Sequence, residues 1–134
     1  MESRRDEIFP LLTEQDVVRT RQLARSWAVA IGFSLVEQTK IVTAASELAR
    51  NAIEYGGGGT LRMRWFSNSV RQGLRMDFVD QGPGIPDVER ALKDGYSTGD
   101  GLGLGLSGAR RLMNDFEIES APGRGTRVSV TRWK

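Results

Sequence analysis

The apolar residues keep a helical spacing up to the glycines at 56–59 and an alternating one from Thr60 onward, and this switch constrains the fold most. Thr13-Glu-Gln-Asp16 opens the first helical stretch, with a hydroxyl cap and an acid three residues on. Val17, Thr20, Ala24, Trp27, Ala28 and Ile31 then follow at helical spacing until Gly32 stops it. Ser34-Leu-Val-Glu37 is a second capping box, opening a helix in which Ile41, Ala45, Leu48 and Ala52 share a face and which Gly56 to Gly59 end. From Thr60, Leu61, Met63 and Trp65 alternate with Arg62, Arg64 and Phe66. Leu74, Met76 and Phe78 alternate with Arg75 and Asp77, so two strands of a hairpin joined through Ser67 to Gly73 are expected. A Gly/Pro turn at Gly82 to Pro86, a short helix near Asp87 to Lys93 and a helix from Leu106 to Met113 come next. Strands Phe116 to Ser120 and Thr126 to Trp133 flank the turn composition Ala121-Pro-Gly-Arg-Gly125. Helices and hairpins without regular βαβ alternation predict an α+β fold: a two-layer α/β sandwich, one mixed, mostly antiparallel sheet with helices on one face.

With 134 residues the chain fits one domain, 1–134, able to bury roughly two-thirds of its unfolded surface. No stretch approaches the ~20 apolar residues of a membrane helix, and Met1 to Glu7 carry charge of both signs with no apolar h-region of a secretory signal behind them. A soluble, cytoplasmic protein is expected. The net charge is only +2 and the arginines form no basic run, so neither a nucleic acid nor a membrane is expected as partner. Zero cysteines exclude disulfides, thiolate metal sites and a cysteine nucleophile. Zero histidines remove the commonest general base and any Ser/His/Asp triad, leaving acid/base chemistry to carboxylates or lysine.

Three motifs can carry chemistry. Glu47-Leu-Ala-Arg-Asn51 puts a carboxylate and a carboxamide one helical turn apart on one face. Such a pair forms a solvated face, or else one site where the carboxylate orients or deprotonates a hydroxyl and the amide oxygen ligates Mg²⁺. Asp80-Gln-Gly-Pro-Gly-Ile85 follows an apolar strand; it is a tight turn, or a place where a flat ring lies against Gly82 and Gly84 while Asp80 accepts from an exocyclic amine. Gly99-Asp-Gly-Leu-Gly-Leu-Gly-Leu-Ser-Gly108 runs into a helix, which suits a flexible connection or a triphosphate cradle. Leu102, Leu104 and Leu106 alternate with its glycines and need something to pack on. Gly103 to Gly108 fits G-x-G-x-x-G, but no apolar strand precedes it as a dinucleotide fold requires, and no P-loop motif occurs anywhere.

In this order the three motifs resemble the N, G1 and G2 boxes of the GHKL ATPase superfamily, shared by gyrase-type ATPases, Hsp90, sensor histidine kinases and MutL. Gly125-Thr126 looks like the last short ATP-site motif of that superfamily, so the resemblance spans nearly the whole chain. It implies ATP and Mg²⁺ as cofactors, Glu47 as catalytic base and Asn51 as the metal ligand. It further implies Asp80 as adenine reader, Gly82, Gly84 and Ile85 beneath the ring, Thr126 supporting it, and Gly101, Leu102, Gly103, Leu104 and Gly105 as the phosphate lid. Arg50, Arg110 and Arg111 are candidates to face the γ-phosphate. The stretch around the lid is most similar to the switch serine/threonine kinases of bacterial stressosomes. That implies STAS-domain scaffold or antagonist proteins as substrates, a PP2C-type phosphatase or other regulator downstream, and partner switching on phosphorylation. The alternative within the superfamily is an anti-sigma factor that sequesters a sigma factor and phosphorylates its antagonist. A sensor histidine kinase is disfavoured because the chain has no phosphoacceptor histidine.

Overall fold

The computed structural model describes residues 2–93 and 105–134. Along the chain it runs β1 (Glu2–Leu11), α1 (Glu14–Ile31), α2 (Leu35–Glu54), β2 (Gly59–Ser67), β3 (Gln72–Asp80), α3 (Val88–Ala91), α4 (Gly105–Leu112), β4 (Asp115–Ser120) and β5 (Thr126–Trp133). The strands form one sheet in the order β1-β2-β3-β5-β4, and every pair is antiparallel. This is the α+β sandwich expected from the change of period.

Both long helices begin on a hydroxyl N-cap, Thr13 or Ser34, with an acid three residues on. The Asp16 carboxylate accepts the N–H groups of Leu12 (2.8 Å) and Thr13 (3.2 Å), and these bonds, Leu12's foremost, hold its pKa below the usual carboxylate value. At α2, Ser34 Oγ accepts from the Glu37 N–H while Glu37 Oε1 accepts from the Ser34 N–H, a complete capping box. The apolar face of α1 (Val17, Ala24, Trp27, Ala28, Ile31) and that of α2 (Ile41, Ala45, Leu48, Ala52) close on Leu61, Met63, Leu74, Met76 and Val130, all buried. No helix among the described residues is long and apolar enough to cross a membrane.

Strand β1 was not foreseen. Its residues Glu2 to Glu7 are nearly all charged, and at the edge of a sheet that composition is compatible with a strand because only Phe9 and Leu11 must turn inward. Arg62 of β2 clamps it, its Nε and Nη2 reaching the two Asp6 carboxylate oxygens at 2.9 and 2.6 Å.

The sheet face away from the helices solves a charge problem. Arg64 and Arg75 stand directly opposite each other, a repulsive cross-strand pair, and Asp77 lies within 2.6 Å of the first and 3.1 Å of the second. Burial raises the Asp77 pKa, but hydrogen bonds from Ser129, Arg64 and Arg75 outweigh it and hold the carboxyl below its usual range.

Candidate functional site

The C-terminal half of α2 supplies one wall of a cavity of about 310 Å³, within the range of small-molecule sites. Glu47, Arg50, Asn51 and Glu54 all border it, because residues three, four and seven apart share a helix face. Arg50 Nη1 stands 3.5 Å from Glu47 Oε1. Leu48, Ala52, Phe78, Ile85, Ala91, Leu106 and Val128 make the rest of the lining predominantly apolar.

The far end is built from turns. Asp80, the last residue of β3, is buried and lines the cavity, its Oδ1 accepting the Gly82 N–H at 3.0 Å. Thr126, the first residue of β5, is its cross-strand partner, so the two side chains share a face, and both line the cavity. Asp80 packs beside Gly56, just past the end of α2. The Glu47 and Asp80 ends are therefore roughly 13 Å apart along the helix axis.

Two turns are locked together at that end. Gly84 has φ 79° and an added Cβ would run into the Ala121 carbonyl; Gly125 has φ 75° and a Cβ there would strike the Asp80 carbonyl. The Gly123 N–H donates to the Pro83 carbonyl at 2.8 Å. Ser120, at the end of β4, binds both sides: its Oγ accepts the Ile85 N–H (2.7 Å), donates to the Gly125 carbonyl (3.1 Å) and lies 2.8 Å from Thr126 Oγ1.

Of the residues expected from sequence, Glu47, Asn51, Asp80, Gly84, Ile85, Gly105 and Thr126 come together on this cavity. Gly82 is not among its lining residues and sits against the Gly56 backbone. Gly101, Leu102, Gly103 and Leu104 lie outside the described residues. Among the three arginine candidates Arg50 lines the cavity, whereas Arg110 borders a separate cleft beside Phe116 and Trp133. Glu54, Tyr55 and Ser120 were missed. Seven-residue spacing from Glu47 signals Glu54, but nothing local marks Ser120, whose partners lie 5, 6 and 35 residues away.

Such a sandwich, with an acid/amide helix facing an aspartate turn across an apolar cavity, defines a GHKL-type ATP-using domain. Residues 36–134 match the family model described as histidine kinase-, DNA gyrase B-, and HSP90-like ATPase, and the chain belongs to that family. It is 44% identical to the serine/threonine-protein kinase RsbT of Bacillus subtilis (strain 168), over 92% of this chain and 92% of that protein. It is 28% identical to the anti-sigma F factor of Thermoanaerobacter sp. (strain X514), over 95% of this chain and 92% of that protein. Among solved structures, the RsbU and RsbW domains of a Mycobacterium tuberculosis protein share the fold at a TM-score of 0.65 and 21% identity. That match covers 96% of this chain and 31% of the other.

Proposed function

We propose that this chain is an ATP-dependent serine/threonine protein kinase, one cytoplasmic domain spanning 1–134, that phosphorylates a STAS-domain protein of a stressosome-like complex and switches partners on doing so. The observation that carries the reading is the placement of Glu47 and Asn51 across one cavity from Asp80 and Thr126. The similarity to RsbT supports a hydroxyl acceptor on another protein, and the absence of any histidine agrees with it.

Asp80 and Thr126 would bind the adenine end, with Gly84 and Ile85 along the ring and Gly82 holding the turn by its N–H. Gly105, the first residue of α4, together with Gly101, Leu102, Gly103 and Leu104 before it in the sequence, would cradle the phosphates with backbone N–H groups. At the other end the acceptor hydroxyl oxygen attacks the γ-phosphorus, the bond from that phosphorus to the β–γ bridging oxygen breaks, and ADP leaves. The hydroxyl proton passes to Glu47. Arg50, beside Glu47, would offset the charge gathering on the transferred group.

Among the described residues no cluster of three or more acidic, histidine or cysteine side chains could hold a metal alone. A single amide oxygen from Asn51 fits Mg²⁺, which keeps waters and arrives with phosphates. Bound there, the ion supplies charge neutralisation on the β- and γ-phosphates.

The test is phosphotransfer to a STAS-domain protein with ATP and Mg²⁺, read by intact-protein mass spectrometry. A gain of one phosphate on serine or threonine is expected, lost in Glu47→Gln; undiminished transfer by that variant overturns the reading. The 28% identity to an anti-sigma F factor favours a second reading, sequestration of a sigma factor, for which stoichiometric co-purification with one is the mark. A PP2C-type phosphatase is the expected downstream partner.

A further inference from the structure

Ser120 has one proton to give and three neighbours, and counting protons assigns a direction to each bond. The Ile85 N–H must donate to Ser120 Oγ (2.7 Å). Gly125 is buried, so its carbonyl needs a donor, and Ser120 Oγ is placed to supply it at 3.1 Å. The Ser120 proton is then spent, and the 2.8 Å contact with Thr126 is a bond donated by the Thr126 hydroxyl. Thr126 therefore turns its proton away from the cavity and offers it lone pairs alone.

Asp80 does the same. Its carboxylate has no proton to give, and it is the direct cross-strand partner of Thr126. Two acceptors thus stand side by side on the cavity wall. A primary amine carries two N–H groups and can satisfy both; an oxo substituent carries none and meets lone pairs on both sides. From this we infer that Ser120 is a positioning residue for base specificity: by taking the Thr126 proton it makes the Asp80–Thr126 pair select a 6-amino over a 6-oxo purine nucleotide. The inference rests on the proposed ATP site and deepens it.

Binding of ATP and of ITP to the full chain, measured by calorimetry with Mg²⁺ present, tests it. The wild type is expected to prefer ATP by roughly 100-fold, in keeping with a site whose buried polar groups match one substituent and not the other. In Ser120→Ala the freed Thr126 hydroxyl can turn its proton to an oxo group, and the preference should fall about tenfold, the worth of one hydrogen bond. Thr126→Val should narrow it similarly, and adding Ser120→Ala to Thr126→Val should change the ratio no further. Ser120→Thr, which keeps the hydroxyl, should retain the preference. General loosening of the fold would weaken both nucleotides alike and leave the ratio standing. A Ser120→Ala protein, folded by circular dichroism, that keeps the wild-type ATP/ITP ratio within about twofold overturns the inference while leaving the ATP site intact. A wild type that binds neither nucleotide overturns the ATP site itself.

Discussion

The two ends of the cavity are made in different ways. At one end Glu47, Arg50, Asn51 and Glu54 ride on a single helix whose other face is sealed into the core by Ile41, Ala45 and Ala49. At the other, Asp80 and Thr126 sit where strands end, held by the two interlocked turns, the Gly123–Pro83 bond and the Ser120 hydroxyl. The first end inherits its geometry from global packing and the second from a handful of local bonds. Rate and affinity should therefore be separable by mutation.

The sharpest break of that division is Glu47→Gln, which should lower phosphotransfer kcat by about 10²- to 10⁴-fold while ATP affinity changes by less than roughly threefold. Single-turnover kinetics beside a binding titration decide it. Asp80→Asn should act the opposite way, weakening ATP binding by about 10- to 100-fold through a lost charged acceptor, with most of the rate recovered at saturating ATP. A fall in kcat at saturation would mean that the turn end also shapes the chemistry. Gly84→Ala strains a positive φ and drives a methyl into Ala121, so it should cost about 1–3 kcal/mol of stability in denaturant melts and loosen ATP binding with it. Mildest is acid sensitivity remote from the cavity. The Asp16 and Asp77 carboxyls are held below their usual pKa in the folded chain, so their stabilisation is complete above about pH 4, the unfolded value, and is lost as pH falls through the folded ones. Chemical denaturation between pH 6 and 3, on the order of four points, should show that loss, with Asp77→Asn giving a shallower slope.

What could be read beforehand follows the same division. The helix end was legible because a four-residue spacing is itself a geometric statement, and Glu47 and Asn51 do share the cavity. Strands β2 and β3 were legible from alternation, because one face of each packs on helices, and β4 and β5 from the turn composition that joins them. Strand β1 was not, since the charges that suit an edge also suit a loop. Asp80 and Thr126 were visible as motif residues, but their adjacency comes from β3–β5 register, a pairing 46 residues apart in the chain that no local pattern encodes. Ser120 was invisible for the same reason. Gly82 shows a different limit: a glycine in the right motif turned out to serve backbone packing on Gly56 and not the cavity lining.

The short surface hairpin at 121–125 has a consequence for engineering. Exposed turns usually accept insertions and tags at small thermodynamic cost. This one has its length dictated from below, because Ala121 must meet Gly84, Gly123 must meet Pro83 and Gly125 must meet Asp80. A peptide spliced here would leave the fold standing but dull the protein toward its nucleotide, whereas one spliced into the 68–71 turn between β2 and β3, none of whose residues line the cavity, would leave both fold and binding unchanged.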